Sequence, residues 1–505
     1  MTRRLSAHAL LGLVLDTGSW TSWDEAPVDV GAGPAYAAEL AAAAERSGVD
    51  EAIVTGEGLL RGRRVAVVAG EFTFLAGSIG VATADRLTRA VERATREGLP
   101  LLAAPVSGGT RMQEGTVAFL QMLRITGAVT AHKAAGLPYL VYLRNPTTGG
   151  VLASWGSLGH VTVAEPGALI GFLGPRVYEA LYGRPFPEGV QVAENLFAHG
   201  IVDAVLEPER VADVLDRALA VLTASRTPNV PSLPDDVRGE VEDVPAWESV
   251  TTSRRKERPG IRRLLRYAAR DVVPLSGTGA GELDPGLLLA LARFGDVPCV
   301  VLGQDRRGQT EERPMGPAAL REARRGMRLA RELRLPLVTV IDTPGAALSR
   351  EAEEGGMAGE IARCLAELVE LEAPTLSVLL GPGTGGGALA LVPADRTVAA
   401  QHGWLSPLPP EGASAIVHRD TEHAPEMAAA QGVRSTDLLR AGLVDLVVPE
   451  RPDAATEPEA FCLRMGAVLT HELADLLATP DADRLAARRA RFARLGSVQH
   501  VASAG

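Results

Sequence analysis

Seven residues, Gly381 to Gly387 (GPGTGGG), follow an apolar run of strand length and lead into an apolar helical stretch. Glycine at that density lets the backbone approach a ligand with no Cβ in the way, and amides left free at the start of a helix point at whatever sits there. A carbonyl oxygen or an anion is the natural guest. Tight packing between strand and helix uses the same residues, so one such loop does not decide between site and scaffold. The chain, however, carries the pattern twice. Sliding it against itself by 236 residues sets GLPLLAAPVSGG (Gly98 to Gly109) on RLPLVTVIDTPG (Arg334 to Gly345), and NPTTGGVLA (Asn145 to Ala153) on GPGTGGGAL (Gly381 to Leu389), without a gap.

Side-chain chemistry is harder to find. His132, His160, His199, His402, His418 and His423 stand outside any metal or triad spacing and read as structural or surface residues. Ser107 lies in PVSGGTR rather than in G-x-S-x-G, and reads as a strand-end serine satisfying loop amides. Glu114 and Glu165 are possible orienters of loops, and Asp342 of IDTPG reads as the cap of the turn that follows it. No metal-ligand cluster and no GxxxxGK[ST] loop occurs, so neither a metal site nor an ATP site is expected in this chain.

The elements that must hold these loops follow from the repeat: two copies of strand, loop, helix, strand and loop, with ligand sites expected beyond the carboxyl ends of parallel strands. At 505 residues the chain suits two domains. These are read as residues 1–223 and 261–505, joined by a linker, 224–260, whose text is rich in Pro, Ser and charge. Residues 1 to about 62 read as a helical lead-in, and Arg63 to Gly80 as a strand, a hairpin-like second strand and a turn. Hydrophobic residues at 46% and charged residues at 22% fit a globular enzyme rather than a disordered chain. A net charge of −11 argues against a nucleic-acid surface, so an anionic ligand must be met by local basic groups. Three distant cysteines, Cys299, Cys364 and Cys462, read as reduced thiols. The opening MTRRLSAHALLGLVL imitates a signal peptide, but Asp16 ends the apolar run with no cleavage pattern beside it, and no stretch reaches membrane-span length. A cytoplasmic protein is expected, with no membrane partner.

FLAGSIG, SGGTRMQEG, LPYLVYLRNPTTGGVLAS and AEPGALIGFLGPRV in the first half resemble the bacterial β subunit of the carboxyltransferase component of biotin-dependent acyl-CoA carboxylases. In the second half RPMGPAALREARRGMRLA, IDTPGA, GTGGGALAL and SPLPPEGASAI are similar to the α subunit. The resemblance covers most of residues 60 to 450. It implies an α/β protein of two tandem crotonase-like (ClpP/crotonase ββα-spiral) domains. The implied reaction passes a carboxyl group from carboxybiotin, supplied in trans on a biotin carboxyl carrier protein, to the α-carbon of a short acyl-CoA, most simply acetyl-CoA to malonyl-CoA. ATP is consumed on a separate biotin carboxylase subunit. A site between halves of different protomers is implied as well, hence a homodimer or larger assembly. A decarboxylase running the reverse half-reaction, and a non-catalytic assembly subunit, remain open at this point.

That chemistry asks chiefly for amide donors at two carbonyl oxygens. The resemblance assigns Gly108, Gly109, Gly149 and Gly150 to the acyl-CoA thioester, and Gly345, Gly385, Gly386, Gly387 and Ala388 to the biotin carbonyl. Arg111, Arg176, Arg306 and Arg307 are candidates for the CoA phosphates. Three departures from the family stand out: no cysteine precedes Cys299, so the N-terminal zinc ribbon of the bacterial β subunit is missing; DTPGAYPG is replaced by DTPGAALS; and Pro382 stands where an acidic residue is usual.

Overall fold

The computed structural model describes residues 4–237 and 241–494, with every side chain in them except that of Arg176. The chain forms two compact units, residues 1–223 with 279–281, and residues 224–278 with 282–505.

In the first unit the strands are β1 (Thr21–Ser22), β2 (Ile53–Leu60), β3 (Arg63–Gly70), β4 (Leu101–Ala104), β5 (Tyr139–Leu143), β6 (Thr147–Thr148), β7 (Val161–Ala164), β8 (Ile170–Gly171) and β9 (Ala204–Val205). They order as β1-β2-β3-β4-β5-β7-β9, with β6 paired to β8 in a small second sheet. β2 and β3 form an antiparallel hairpin, and from β3 onward the main sheet is parallel. The second unit repeats the plan with β10 (Ala269–Leu275), β11 (Leu287–Phe294), β12 (Val297–Gln304), β13 (Leu337–Thr343), β14 (Thr375–Thr384), β15 (Arg396–Ala400), β16 (Trp404–Ser406) and β17 (Leu446–Val448). Their order is β10-β11-β12-β13-β14-β15-β17, and β16 pairs with the end of β14. Each unit is an α/β crotonase-like spiral, so the chain is two such domains in tandem.

The central strands are continuous apolar runs because both their faces are covered: β4, β5, β12, β13 and β14 are buried at every residue. Helices Val81–Arg96 and Pro317–Leu333 turn Leu87, Val91 and Ala94, and Leu320, Met327 and Leu333, onto these sheets.

Three sequence expectations are corrected. The lead-in to residue 62 is not only helical, since β2 falls in it; Gly56 and Gly58 hide that strand from propensity. Both are glycine because a Cβ there would stand 2.3 Å from Thr21 O and 2.6 Å from Leu15 Cδ1. The hairpin partner of β3 therefore precedes it, and residues 71 to 80 hold no strand, just a 3-10 turn, Leu75–Gly77, and a single bridge at Ile79. Residues 224–260 are not a bare linker either. Helix Ala246–Ser253 buries Ala246 and Val250 against Trp404 and Val433, and Trp404 Nε1 donates to Ser253 Oγ at 2.8 Å. Two buried anchors at i and i+4 are too few to show through charged text.

Candidate functional site

Both units end their β4 or β13 strand in the same turn. Gly109 has φ +115° and Gly345 φ +138°, a region that favours glycine. In the first turn Ser107 Oγ accepts the Gly109 N–H at 3.0 Å, and in the second Thr343 Oγ1 accepts the Gly345 N–H at 3.1 Å. Ile79 bridges Thr110 as Met315 bridges Ala346. Serine and threonine 236 residues apart thus do one job, and the cap expected of Asp342 belongs to Thr343.

The second glycine loop of each unit lies against that turn. A Cβ on Gly149 would stand 3.4 Å from Gly109 Cα, and one on Gly150 would stand 3.6 Å from Thr110 Oγ1. The Gly108 N–H goes to Ala76 O at 2.9 Å and the Gly149 N–H to Gly171 O at 3.3 Å. With Gly109 held by Ser107, three of the four first-half glycines shape the loops, and Gly150 is left as the donor. Among the described residues no acceptor takes the N–H of Thr110 or Gly150.

In the second unit, Gly385, Gly386 and Gly387 form the first turn of a helix, Gly385–Leu389, where N–H groups have no intrahelical partner. Gly385 and Gly386 line a cleft of about 780 Å³, walled by Leu389, Leu405, Pro407 and Leu438, with Gln431 and Asp437 among its polar groups. Gly387 and Ala388 are buried behind it. A Cβ on Gly387 would meet Met315 Cε at 2.9 Å and Ala346 N at 3.3 Å, so this glycine serves close packing of loop on loop. Ala388, the fourth residue of that helix, is 0% exposed, and among the described residues its N–H has no hydrogen-bond acceptor within ordinary geometry.

The four candidate arginines differ. Arg111 is 1% exposed and all three guanidinium nitrogens are engaged inside the fold: two donate to Glu51 at 2.6 and 3.0 Å, one of them also to Ser78 O at 2.9 Å and Thr83 Oγ1 at 3.1 Å, and Nε to Ser78 Oγ at 3.3 Å. It clamps the SGG loop and is not presented to phosphates. Glu114 extends that clamp, accepting the Val81 N–H at 2.6 Å and the Tyr36 hydroxyl at 2.5 Å. Burial and the Glu114 bond together push the Tyr36 hydroxyl up to about 12. Arg306 is likewise occupied, by Asp342 at 2.9 and 3.0 Å and by the carbonyls of Ser253 and Arg255. Burial raises the Asp342 carboxyl above its ordinary range against the pull of Arg306. Arg307 is exposed, and among the described residues its guanidinium has no partner. Arg176 lies in the helix Pro175–Tyr182, with its side chain outside the described residues.

Glu165 accepts the Asn145 N–H at 2.9 Å and so orients the loop before Gly149. His132 is buried with Nε2 on Pro138 O at 3.2 Å, and burial lowers its pKa to about 4. Two participants escaped the sequence reading. Gln304 is the only polar residue in β12, and Arg258 lies inside supposed linker; each is nearly or wholly buried. A single polar residue closing an apolar strand was the one signal for Gln304. Among the described residues no group of three or more His, Cys, Asp or Glu could hold a metal, and no helix is long and apolar enough to cross a membrane.

The fold has known counterparts. The structure of transcarboxylase 12S, with methylmalonyl-coenzyme A bound, superposes with a TM-score of 0.70 at 21% identity, covering 92% of this chain and 90% of that one. A single-chain, multi-domain long-chain acyl-CoA carboxylase superposes at 0.67 and 19% identity, over 90% of this chain and 45% of that chain. In sequence, the chain is 62% identical over 494 residues to the probable biotin-dependent acyl-coenzyme A carboxylase beta3 subunit of Mycobacterium tuberculosis, covering 98% of this chain and 99% of the relative. It is 39% identical over 529 residues to the acetyl-coenzyme A carboxylase carboxyl transferase subunits beta/alpha of Salinispora arenicola, covering 99% and 92%. The carboxyl transferase domain matches residues 14–480. With both glycine loops inside that span and a relative matched over nearly its whole length, the chain belongs to the carboxyl transferase domain family.

Proposed function

We propose that this chain is the carboxyltransferase of a biotin-dependent acyl-CoA carboxylase, moving a carboxyl group between carrier-borne carboxybiotin and the α-carbon of a short acyl-CoA. Acetyl-CoA is the simplest substrate. The observation that carries the reading is the duplicated loop pair, which presents backbone donors once in each unit while the surrounding side chains are taken up in holding the loops. In this reading the first-unit loops, with Gly150 as donor, meet the thioester carbonyl, and polarising it acidifies the α-proton. The second-unit loops, through Gly385 and Gly386, hold the ureido carbonyl of biotin, and the apolar cleft beside them gives a flat ring a dry wall. Biotin itself supplies the carboxyl group and a ureido nitrogen able to take a proton. Arg307, and Arg176 by its position, remain as contacts for CoA phosphates.

The relatives named as acyl-CoA and acetyl-CoA carboxylase subunits support the substrate class and leave the acyl chain open. Residues 1–223 would form the acyl-CoA half and 261–505 the biotin half. A biotin carboxyl carrier protein and a biotin carboxylase subunit complete the system, the carboxyltransferase working as a homodimer or larger assembly in the cytoplasm. The test mixes purified protein with a biotinylated carrier and malonyl-CoA labelled in its free carboxyl. Label is expected on the carrier without ATP. A repeat with methylmalonyl-CoA and longer carboxylated acyl-CoAs ranks the chains. No transfer from any of them sinks the reading.

A further inference from the structure

We infer that Gln304 is a positioning residue that locks the two glycine loops of the second unit to one another. Taking those loops as the biotin-carbonyl side rests on the function proposed above. Gln304 closes β12 and is 0% exposed. An amide placed there carries a desolvation penalty unless both of its polar ends are satisfied. Its Oε1 accepts the Asp342 N–H at 3.0 Å, and its Nε2 donates to Gly387 O at 2.8 Å.

Both partners need it. The β12–β13 ladder stops at Gly303 paired with Val340, so Asp342 lies beyond the last rung, and the glutamine oxygen stands in for the strand carbonyl that is absent. Gly387 O would accept from Leu391 in a continuing helix, but the Leu391 N–H turns to Ala388 O at 3.0 Å. One side chain therefore ties the DTPG turn to the GGG turn, at the two backbone groups their own secondary structure abandons.

The internal repeat separates this role from a requirement of the fold. Val300 pairs with Leu337 and Ala66 with Leu101, and Leu337 and Leu101 are one repeat apart. Counting along each strand puts Gln304 on Gly70, and each ends its hairpin, opposite Leu287 and Ile53. In the first unit a Cβ at Gly70 would stand 2.8 Å from Val106 N, the residue matching Asp342. The same spiral thus closes with no side chain here, and its SGG loop is clamped by Arg111 instead. The second unit has Ala347 at the Arg111 position, and Gln304 takes over the clamping from the other side.

The test uses the full chain as Gln304→Leu and Gln304→Glu. Two quantities are read: amide hydrogen exchange in peptides covering 342–347 and 384–390, and steady-state carboxyl transfer from malonyl-CoA to free biotin. For Gln304→Leu, faster exchange in both peptides is expected, with kcat down roughly 10- to 100-fold, less than the roughly 100- to 1,000-fold that outright loss of a donor costs, and KM for malonyl-CoA unchanged. Gln304→Glu can remake both bonds only when its carboxyl is neutral, a form that burial favours. Its kcat relative to wild type should climb as pH falls, which a merely structural residue would not produce. Unchanged exchange in both peptides overturns the inference while leaving the proposed function standing. Faster exchange with unchanged kcat overturns it too, and takes with it the reading of these loops as the biotin side. Should Gln304→Leu fail to fold, the glutamate variant decides alone, and a pH-independent ratio to wild type is then the negative result.

Discussion

Replacing Arg258 with methionine tests how the stretch before the second sheet is held. Arg258 is 3% exposed, and its guanidinium forks onto Glu450, with Asp453 at 3.0 Å and Leu380 O at 3.5 Å. Asp453 also has Arg255. Glu450, by contrast, would keep only the amides of His402 at 3.1 Å and Ala454 at 2.7 Å. Removing one partner of a buried pair commonly costs about 3–5 kcal/mol, because the other charge stays behind. The pH dependence gives the sign. In the native protein burial pushes the Glu450 carboxyl up, but Arg258 pulls harder and holds it below the usual range. Its contribution is therefore present above the unfolded pKa of about 4.3 and fades as pH falls through the lower folded value. In the variant burial is left largely unopposed, the carboxyl titrates above its usual range, and acid relieves the strain by protonating it. The stability gap between the two proteins should be widest near pH 7.5 and narrow on acidification. Urea unfolding at several pH values, read through exchange protection of second-unit peptides, measures it. A gap under about 1 kcal/mol, or one that does not change with pH, refutes the reasoning; Arg258→Met with Glu450→Gln should recover most of the loss.

His132, lowered from 6.5 to about 4, is held neutral, so stability should fall from pH 6.5 towards 4 by about 3 kcal/mol on its account, and His132→Gln should flatten that slope in acid unfolding curves. Gly387→Val should lower the melting temperature as well as transfer, since the new Cβ meets Met315 and Ala346; a variant with native melting and no transfer would return Gly387 to the donor set. Limited proteolysis with an unspecific protease should cut first within 227–232, an exposed stretch without helix or strand, and spare 246–253, whose helix is packed on Trp404.

The duplicated architecture was legible because the residues that fix it are glycines, prolines and short hydroxyl side chains, whose backbone duties leave little choice of replacement. Gly109 and Gly345 needed positive φ, and Ser107 and Thr343 needed a short oxygen two residues before, so the register survived where core packing had drifted. What sequence could not separate was a glycine that opens the backbone to a ligand from one that lets two segments touch. Gly386 and Gly387 are adjacent and identical in text, yet one lines the cleft and the other is packed against Ala346. Arg111 and Arg306 misled for a related reason: an arginine among loop glycines looks the same whether it faces a phosphate or a carboxylate of its own chain. The buried Glu51 and Asp342 that claim them lie 60 and 36 residues away.

The buried aspartate that immediately precedes β15, Asp395, has a consequence for how the chain is made. Asp395 accepts from Thr375 N at 2.7 Å, but its balancing charges are Arg484 and Arg488, the latter 93 positions further on in the helix Asp481–Ala493. On a ribosome adding about 5–20 residues per second, that carboxylate waits roughly 5–20 s for its cations. Over that interval β13, β14 and β15 can collapse but cannot seal. The first unit, whose strands are all complete by Val205, has its partners long before. The two halves share one fold and differ in when each can finish it, so a nascent chain passes through a stage with one finished spiral and one still open at a charged seam.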